Sequence, residues 1–340
     1  MRSSLRTIVV LAVGVALLAL FLRNVDLSRV LAEIGGARPG WLLISLASMF
    51  VNLAIRAYRW QYLLDPLGKV TFASAFRATA VGFAANTVLP ARAGEVIRPY
   101  FLARHEHMSA TGAFATIILE RLLDTVTVLI MLASYVFLFD QRLRLTNPTA
   151  VTWLKWIGLT AAGGAAVALI VLFVLAGDPE RLGRAMTRIG RVFPSFAARA
   201  ARVAEKFARG LGAIRHPRRL LVALLWSVPL WLCIAGGIWA TAVAFRLDVP
   251  FTGSFLIVAL LVLGVAVPTP GAVGGFHAAF RYSVTAFFGA PDDAAVGAAI
   301  VLHVLSIGPS LLLGLYFAAQ VGLNLTRMRE LAVNAPGDTA

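Results

Sequence analysis

Three charges, Arg92, Glu95 and Arg98, fall within the stretch Asn86-Thr-Val-Leu-Pro-Ala-Arg-Ala-Gly-Glu-Val-Ile-Arg98, directly after an apolar run from Phe72 to Val88. An ionisable side chain at membrane depth costs roughly 2.5–3.5 kcal/mol on insertion scales, so such groups pair with one another or face a cavity. Pro90 and Gly94 interrupt helix here, and irregular backbone at that depth persists only where protein or a water-filled cavity covers it. The available chemistry is anion binding. Guanidinium groups would stand beside the start of a returning helix, whose free N–H groups and partial positive charge favour phosphate. The alternative is a structural charge cluster that holds the turn.

A second set is Glu120-Arg121-Leu-Leu-Asp124. Glu120 and Asp124 are four apart and share a helix face, and Arg121 lies three before Asp124. A structural Arg121–Asp124 pair and a role in a site or in proton coupling are both open. A third set is Pro268-Thr-Pro270-Gly271-Ala-Val-Gly274-Gly-Phe-His277, with Arg281 four residues further on. His277 at this turn reads as functional, His303 as an interhelical hydrogen-bonder, and His105 and His107 as members of a polar stretch. The candidate binding set is Asn86, Arg92, Glu95, Arg98, Glu120, Arg121, Asp124, Pro270, Gly271, Gly274, His277 and Arg281. Elsewhere there is no nucleophile–base set, no metal-ligand spacing and no nucleotide loop, and Cys233 is the one cysteine. No cofactor, no metal and no enzymatic activity is expected.

The elements that must position these groups are membrane helices. The 340 residues are 59% hydrophobic and 14% charged, where soluble domains are about 45–50% apolar and about 25% charged. The net charge of +15 points to cytoplasmic loops and anionic headgroups, not nucleic acid. Spans are expected at 5–22, 41–64, 112–139, 153–176, 220–245 and 294–322. The first is read as an uncleaved helix, not a signal peptide. Arg56 and Arg59, near aromatic Tyr58, Trp60 and Tyr62, are read as snorkelling to the headgroups. The arms 72–88 and 95–108 are about 25 Å and 21 Å of helix, short of a hydrocarbon core of about 30 Å. They are read as a re-entrant hairpin, and 251–267 with 276–289 as a second one.

Residues 177–219 hold eleven Arg or Lys against three acids, interleaved with apolar positions. This is a basic amphipathic linker expected on the anionic inner leaflet. Placing it inside by the positive-inside rule puts 140–152, 23–40 and 246–250 outside, and both termini and the 326–340 tail in the cytoplasm. The fold class is thus an all-α polytopic membrane protein. It has about six spans and two re-entrant hairpins in a single integral membrane domain, 1–325, and its halves, 41–139 and 220–322, form an inverted repeat. Broken helices meeting near the midplane of such a repeat are a transporter arrangement.

Asn86-x-x-x-Pro90-x-Arg92-x-Gly94-Glu95-x-x-Arg98, Glu120-Arg121-x-x-Asp124 and Pro268-x-Pro270-Gly271-x-x-Gly274 together resemble the transmembrane region of lysylphosphatidylglycerol synthases, over roughly 5–325. The resemblance implies a multi-span inner-membrane protein, bacterial or archaeal, that moves a lipid between leaflets, as the stand-alone relatives are read to do. It covers the membrane region alone, so the chain is not expected to make aminoacyl lipids. The family usually carries a glutamate where this chain has His277, which bears on proton coupling and headgroup choice. The expected partner is a membrane lipid with an anionic headgroup: a phospholipid, an aminoacyl-phospholipid, or a polyprenyl-phosphate-linked lipid, the last because paired hairpins with arginines are also similar to the DedA family. The alternative is a non-transporting membrane subunit that presents a lipid carrier to a glycosyltransferase or another envelope enzyme.

Overall fold

The structure is a computed structural model that describes residues 16, 18–19, 21–22, 25–89, 92–139, 148–177, 194–266 and 269–321. The described residues form helices joined by short turns. Helix α1 (Leu27–Gly35) starts at Asp26, whose carboxylate accepts the Ser28 N–H at 2.9 Å. Helix α2 (Pro39–Leu64) opens on proline, whose missing N–H costs nothing in a first turn. Helix α3 (Phe72–Val88) is capped by Thr71, which accepts from Ser74 N–H at 3.2 Å, and α4 (Gly94–His105) follows the first turn. Ser109 caps α5 (Ala110–Ser134), which runs on through a π-helical turn at Tyr135–Phe139. Then come α6 (Pro148–Gly177), α7 (Pro194–Gly210) with a 3-10 turn at Leu211–Arg215, and α8 (Pro217–Ala244). Helices α9 (Gly253–Ala266) and α10 (Gly275–Phe288) enclose a short 3-10 turn at Pro270–Ala272, and α11 (Asp292–Gln320) ends the described chain.

Among the described residues, five helical stretches are long and apolar enough to cross a bilayer: Pro39–Leu64, Ala110–Leu138, Trp156–Gly177, Pro217–Ala244 and Asp292–Gln320. They coincide with five of the six expected spans. The expected first span lies outside the described residues except at 16, 18–19 and 21–22, and so do 178–193 of the basic linker and the tail with Arg327 and Arg329. Aromatic pairs mark two levels of the bundle. Trp41 meets Trp239 edge-on at 5.3 Å, and Tyr58 meets Trp226 at 4.8 Å. Along α2 those levels are about 25 Å apart, the separation of two interfacial belts. Helix α6 turns Leu159, Val167, Ile170, Phe173 and Val174 outward, a face suited to lipid.

The short helices sit where the sequence puts them. Helices α3 and α4 have 17 and 12 residues, and α9 and α10 have 14 each, so none reaches about 30 Å. Each pair folds back on itself at a glycine. A Cβ on Gly94 would collide with the carbonyl of Gly82, and one on Gly82 would lie 2.7 Å from Arg98 Cβ. In the second pair, a Cβ on Gly264 would lie 2.5 Å from the carbonyl of Gly275 and 2.6 Å from Ala279 Cβ. The arms touch backbone to backbone at both places, a separation that only glycine permits. The tips also meet each other. The position of a Cβ on Gly271 is 3.5 Å from the Thr87 methyl, and Arg92 Nη2 donates to the Val265 carbonyl at 3.3 Å.

The packing is paired throughout. Helix α2 lies along α8. The contacts α3·α4, α4·α5, α2·α3, α2·α5, α3·α11 and α2·α11 have counterparts in α9·α10, α10·α11, α8·α9, α8·α11, α9·α5 and α8·α5. Helix α7 packs on the start of α5, where Gly210 meets the Gly112 backbone. The described part of the linker thus packs on the bundle.

Candidate functional site

The chemistry gathers around one carboxylate oxygen. Glu120 Oε1 on α5 accepts from Arg121 Nη2 at 2.7 Å, Arg98 Nη1 at 3.0 Å and Arg56 Nη1 at 3.3 Å, and lies 3.7 Å from Arg59 Nη2. One turn on, Asp124 Oδ1 accepts from Arg59 Nη1 at 2.8 Å and Trp231 Nε1 at 3.1 Å, while Oδ2 accepts from Arg56 Nη1 at 3.1 Å. Arg59 also donates to the Ser227 hydroxyl at 2.5 Å, and the Arg98 guanidinium lies 3.9 Å over the Trp60 ring. Helices α2, α4, α5 and α8 are thereby tied at one level. The four guanidinium groups of Arg56, Arg59, Arg98 and Arg121 meet two carboxylates, a formal excess of two positive charges. Arg59 and Glu120 are fully buried, and Arg56, Arg98 and Asp124 nearly so.

This arrangement revises the reading of the arginines in three respects. Arg56 and Arg59 do not snorkel; they turn inward because they face two acids on the adjoining span. Arg121 and Asp124 are not a self-contained pair: they stand 3.5 Å apart, and each has closer partners. Arg92 and Arg98 do not converge on one ligand position, since Arg98 turns into the Glu120 network while Arg92 stays on the rim, 3.6 Å from Glu95. The rim pair is electrically neutral and leaves the inner excess uncompensated.

A cavity of ≈ 560 Å³ adjoins the network, within the range of small-molecule sites. Its wall is a set of helical stripes. Ser45, Ser48, Met49, Asn52, Leu53 and Arg56 come from one face of α2, and Arg121, Asp124, Thr125 and Val128 from α5. Helix α8 adds Trp231, Ile234 and Ile238, helix α9 adds Val258, Leu261, Val262 and Val265, and helix α11 adds Leu302, Ser306, Ile307 and Ser310. The first tip contributes Asn86, Thr87, Arg92 and Glu95, and the second Thr269, Gly271 and Ala272. Several buried polar atoms here lack a partner: Arg56 Nε, Arg121 Nε and Asn86 Oδ1 on lining residues, with Arg59 Nη2, Arg98 Nη2 and Glu120 Oε2 behind them. Buried polar groups are almost always hydrogen-bonded. The unpartnered donors outnumber the two unpartnered acceptors, Asn86 Oδ1 and Glu120 Oε2, so the network as a whole can take up a further acceptor.

The second tip has another role. Gly271 and Gly274 hold φ of +60° and +88°, a turn that side-chain-bearing residues resist. Pro270 opens that turn. The Gly274 N–H donates to His277 Nδ1 at 3.4 Å, and His303 Nε2 lies 2.8 Å from the Gly271 carbonyl. The two imidazoles stand 4.4 Å apart and brace the tip from behind, outside the cavity lining. Arg281 also lies elsewhere: it pairs with Asp292 at the start of α11 and donates to the Phe21 carbonyl. By packing, the residue that faces Gly264 as Arg98 faces Gly82 is Ala279, so Arg281 is not the counterpart of Arg98. The sequence reading therefore brings together Asn86, Arg92, Glu95, Arg121, Asp124 and Gly271 at the cavity, with Arg98 and Glu120 behind it. It misses Arg59, Asn52 and Trp231, and it misassigns Arg56. A usable signal was present, because Arg56 and Arg59, three apart, share a helix face as Glu120 and Asp124, four apart, do.

Comparison with known proteins agrees with this architecture. Over 94% of its length the chain is 26% identical to a Haloferax volcanii protein named "Glycosyltransferase AglD", and it spans 55% of that protein. It is 20% identical to a UPF0104 membrane protein of Methanocaldococcus jannaschii, with 90% of this chain and 93% of that one covered. It is 26% identical to a UPF0104 membrane protein of Methanothermobacter thermautotrophicus over about half of each. The sequence profile of the lysylphosphatidylglycerol synthase TM region matches residues 7–314, across the arginine network, both tips and the spans that carry them, and the chain belongs to that family of multi-pass membrane proteins.

Proposed function

We propose that the chain is a lipid translocase that carries a phosphate-bearing lipid between the leaflets of a bacterial or archaeal cytoplasmic membrane. The observation that carries this reading is the buried arginine network, with two positive charges in excess and spare N–H groups on Arg56 and Arg121 beside the cavity. Three of the four arginines are buried and the Arg121 side chain is 37% exposed; a charge excess so poorly hydrated favours a counter-ion, and the remaining wall is largely apolar, as an acyl or polyprenyl chain requires. In this reading the paired contacts of α2–α5 and α8–α11 are an inverted repeat, and the two short hairpins re-enter from opposite faces. Both termini are cytoplasmic. The meeting of the tips at Thr87, Gly271, Arg92 and Val265 closes one route to the site, and separating them opens it. The basic residues of 177–219 rest against anionic inner-leaflet lipid.

The test is transfer of a headgroup-labelled anionic phospholipid in vesicles that hold the purified chain, read by quenching from outside. The wild-type protein should accelerate loss of inner-leaflet protection. Arg92→Gln loosens the tips by removing the bond to the Val265 carbonyl, but it also leaves Glu95 unpaired at the rim; repulsion of an anionic headgroup by that carboxylate should outweigh the looser tips and slow transfer by about tenfold or more. Arg92→Lys should recover part, because charge returns without the planar fork. Transfer at the wild-type rate by Arg92→Gln at equal incorporation would remove the tips from the pathway. A second reading, supported by the relative named a glycosyltransferase, is a subunit that presents a lipid carrier to such an enzyme. It predicts lipid binding with no transfer in the same vesicles.

A further inference from the structure

We infer that the occupant of the cavity carries a doubly charged phosphate, a phosphomonoester or a pyrophosphate, in place of the singly charged phosphodiester of ordinary phospholipids. This inference rests on the reading of the cavity as a lipid site and narrows its substrate class. The two acids of the network are already used. Asp124 accepts on both oxygens, and Glu120 Oε1 serves three arginine hydrogen bonds, with Arg59 as a fourth near neighbour. Arg92 and Glu95 neutralise each other on the rim. The uncompensated charge is therefore two, and the lining residues through which a ligand would meet it are Arg56 and Arg121, each with an unpartnered Nε. Arg56 is 5% exposed, so water does not screen it, whereas the Arg121 side chain is 37% exposed and is screened in part. By formal count a monoanion would leave one positive charge uncompensated, on the buried or the partly exposed side of the network, and a zwitterion would leave two, whereas a dianion leaves none. Helix α4 opens at Gly94 beside the rim without a side-chain cap, and its N-terminal dipole adds to the same preference. The apolar wall, with Met49, Leu53, Val128, Leu261 and Ile307 among its residues, selects a lipid form of this phosphate over the free ion.

The experiment measures binding of matched-chain lipids to the full chain in neutral detergent by native mass spectrometry. Phosphatidic acid stands for the monoester, phosphatidylglycerol for the anionic diester and phosphatidylcholine for the zwitterion, with inorganic phosphate as a separate arm. Near neutral pH or above, phosphatidic acid should bind roughly tenfold more tightly than phosphatidylglycerol, the effect of about one further compensated charge in a poorly screened site. That preference should shrink towards parity about one unit below the second phosphate ionisation near pH 6, while the arginines stay charged at both pH values. The pH dependence thus belongs to the ligand. Equal binding of phosphatidic acid and phosphatidylglycerol across this range overturns the dianion and leaves the anionic-lipid reading standing. Equal binding of phosphatidylcholine overturns that reading too. Displacement of phosphatidic acid by equimolar inorganic phosphate overturns the lipid part and assigns the site to the free ion.

Discussion

Glu120→Gln tests whether the arginine network is held together by charge. Its carboxylate oxygen lies 2.7–3.7 Å from four guanidinium groups, and the side chain is fully buried. The amide keeps the shape and one acceptor but removes the charge, so the formal excess rises from two to three. Removing one partner of a buried ion pair costs about 3–5 kcal/mol. Arg98→Gln acts in the other direction on the same excess. It loses one of the four groups around Glu120 and a cation–π contact with Trp60 worth about 2 kcal/mol when desolvated, but the excess falls to one. Its net cost should be about 1–2 kcal/mol. The double variant returns the excess to two and should be more stable than Glu120→Gln alone, with a coupling of at least about 1 kcal/mol. The assay is reversible unfolding in mixed micelles titrated with a denaturing detergent, followed by helix content. If the two single changes cost the same and the double is their sum, Glu120 is not the counter-ion of the cluster, and the charge excess that supports the anion site loses its basis.

Three further outcomes follow from the same contacts. Exchanging Arg121 and Asp124 for each other should not recover what either single reversal loses, because the new arginine would face Arg56, Arg59 and Trp231 Nε1; recovery of folded yield in the double would show an isolated pair. Gly264→Ala should destabilise by about 1–3 kcal/mol through overpacking against Gly275 and Ala279, whereas Gly163→Ala, in open space on α6, should stabilise by up to about 1 kcal/mol; equal effects in the same detergent titration would mean that the hairpin arms are not in close contact. Hydrogen bonds from the Ser28 hydroxyl and the Ser28 and Arg29 N–H groups hold the Asp26 carboxyl below its usual value. A depressed folded value makes the cap's contribution present above the unfolded pKa and lost as pH falls through the folded one, so amide exchange at the start of α1 should quicken on acidification, and exchange unchanged by pH after correction for its intrinsic rate would contradict the cap.

The spans and hairpin arms were legible because they rest on local signals. Apolar run length and the breaks at Pro90, Gly94 and Gly271 place the described spans and hairpin arms within about five residues, whereas the short helix at Leu27–Gly35, in a stretch read as a loop, and the bounds of Pro194–Gly210 were not foreseen. The site was legible only in part, for a physical reason. An arginine near an aromatic helix end looks the same whether it reaches a headgroup or an acid on another helix, and only the crossing of α2 with α5 decides for Arg56 and Arg59. Arg281 shows the converse error. Its spacing after the second tip imitates that of Arg98 after the first, but the register set by Gly82·Gly94 and Gly264·Gly275 puts Ala279 in the matching place. His277 is similar: its position near the tip was visible, whereas its direction, towards His303 and away from the cavity, was set by the left-handed turn at Gly274.

The two halves use the same packing with different chemistry, and this difference has a consequence. All four arginines and both acids of the network belong to α2, α4 and α5, while α8 supplies only Trp231 and Ser227. The second tip contributes backbone turns and a pair of imidazoles that hold them. The charged network therefore stands at one level of the bundle, about 15 Å along α5 from its start at Ala110, and α9 and α10 add no charge to it. In the translocation proposed above, a ligand held there would take the apolar and serine-lined wall towards Ser45 and Ser310 as its path while the tips part. The glycine contacts within each hairpin keep its arms together as a unit, whereas Arg92 meets Val265 across the tips through one exposed hydrogen bond. If the tips part as proposed, that bond, worth about 1 kcal/mol, and the packing of Thr87 on Gly271 must be given up, while the backbone contacts within each hairpin are kept.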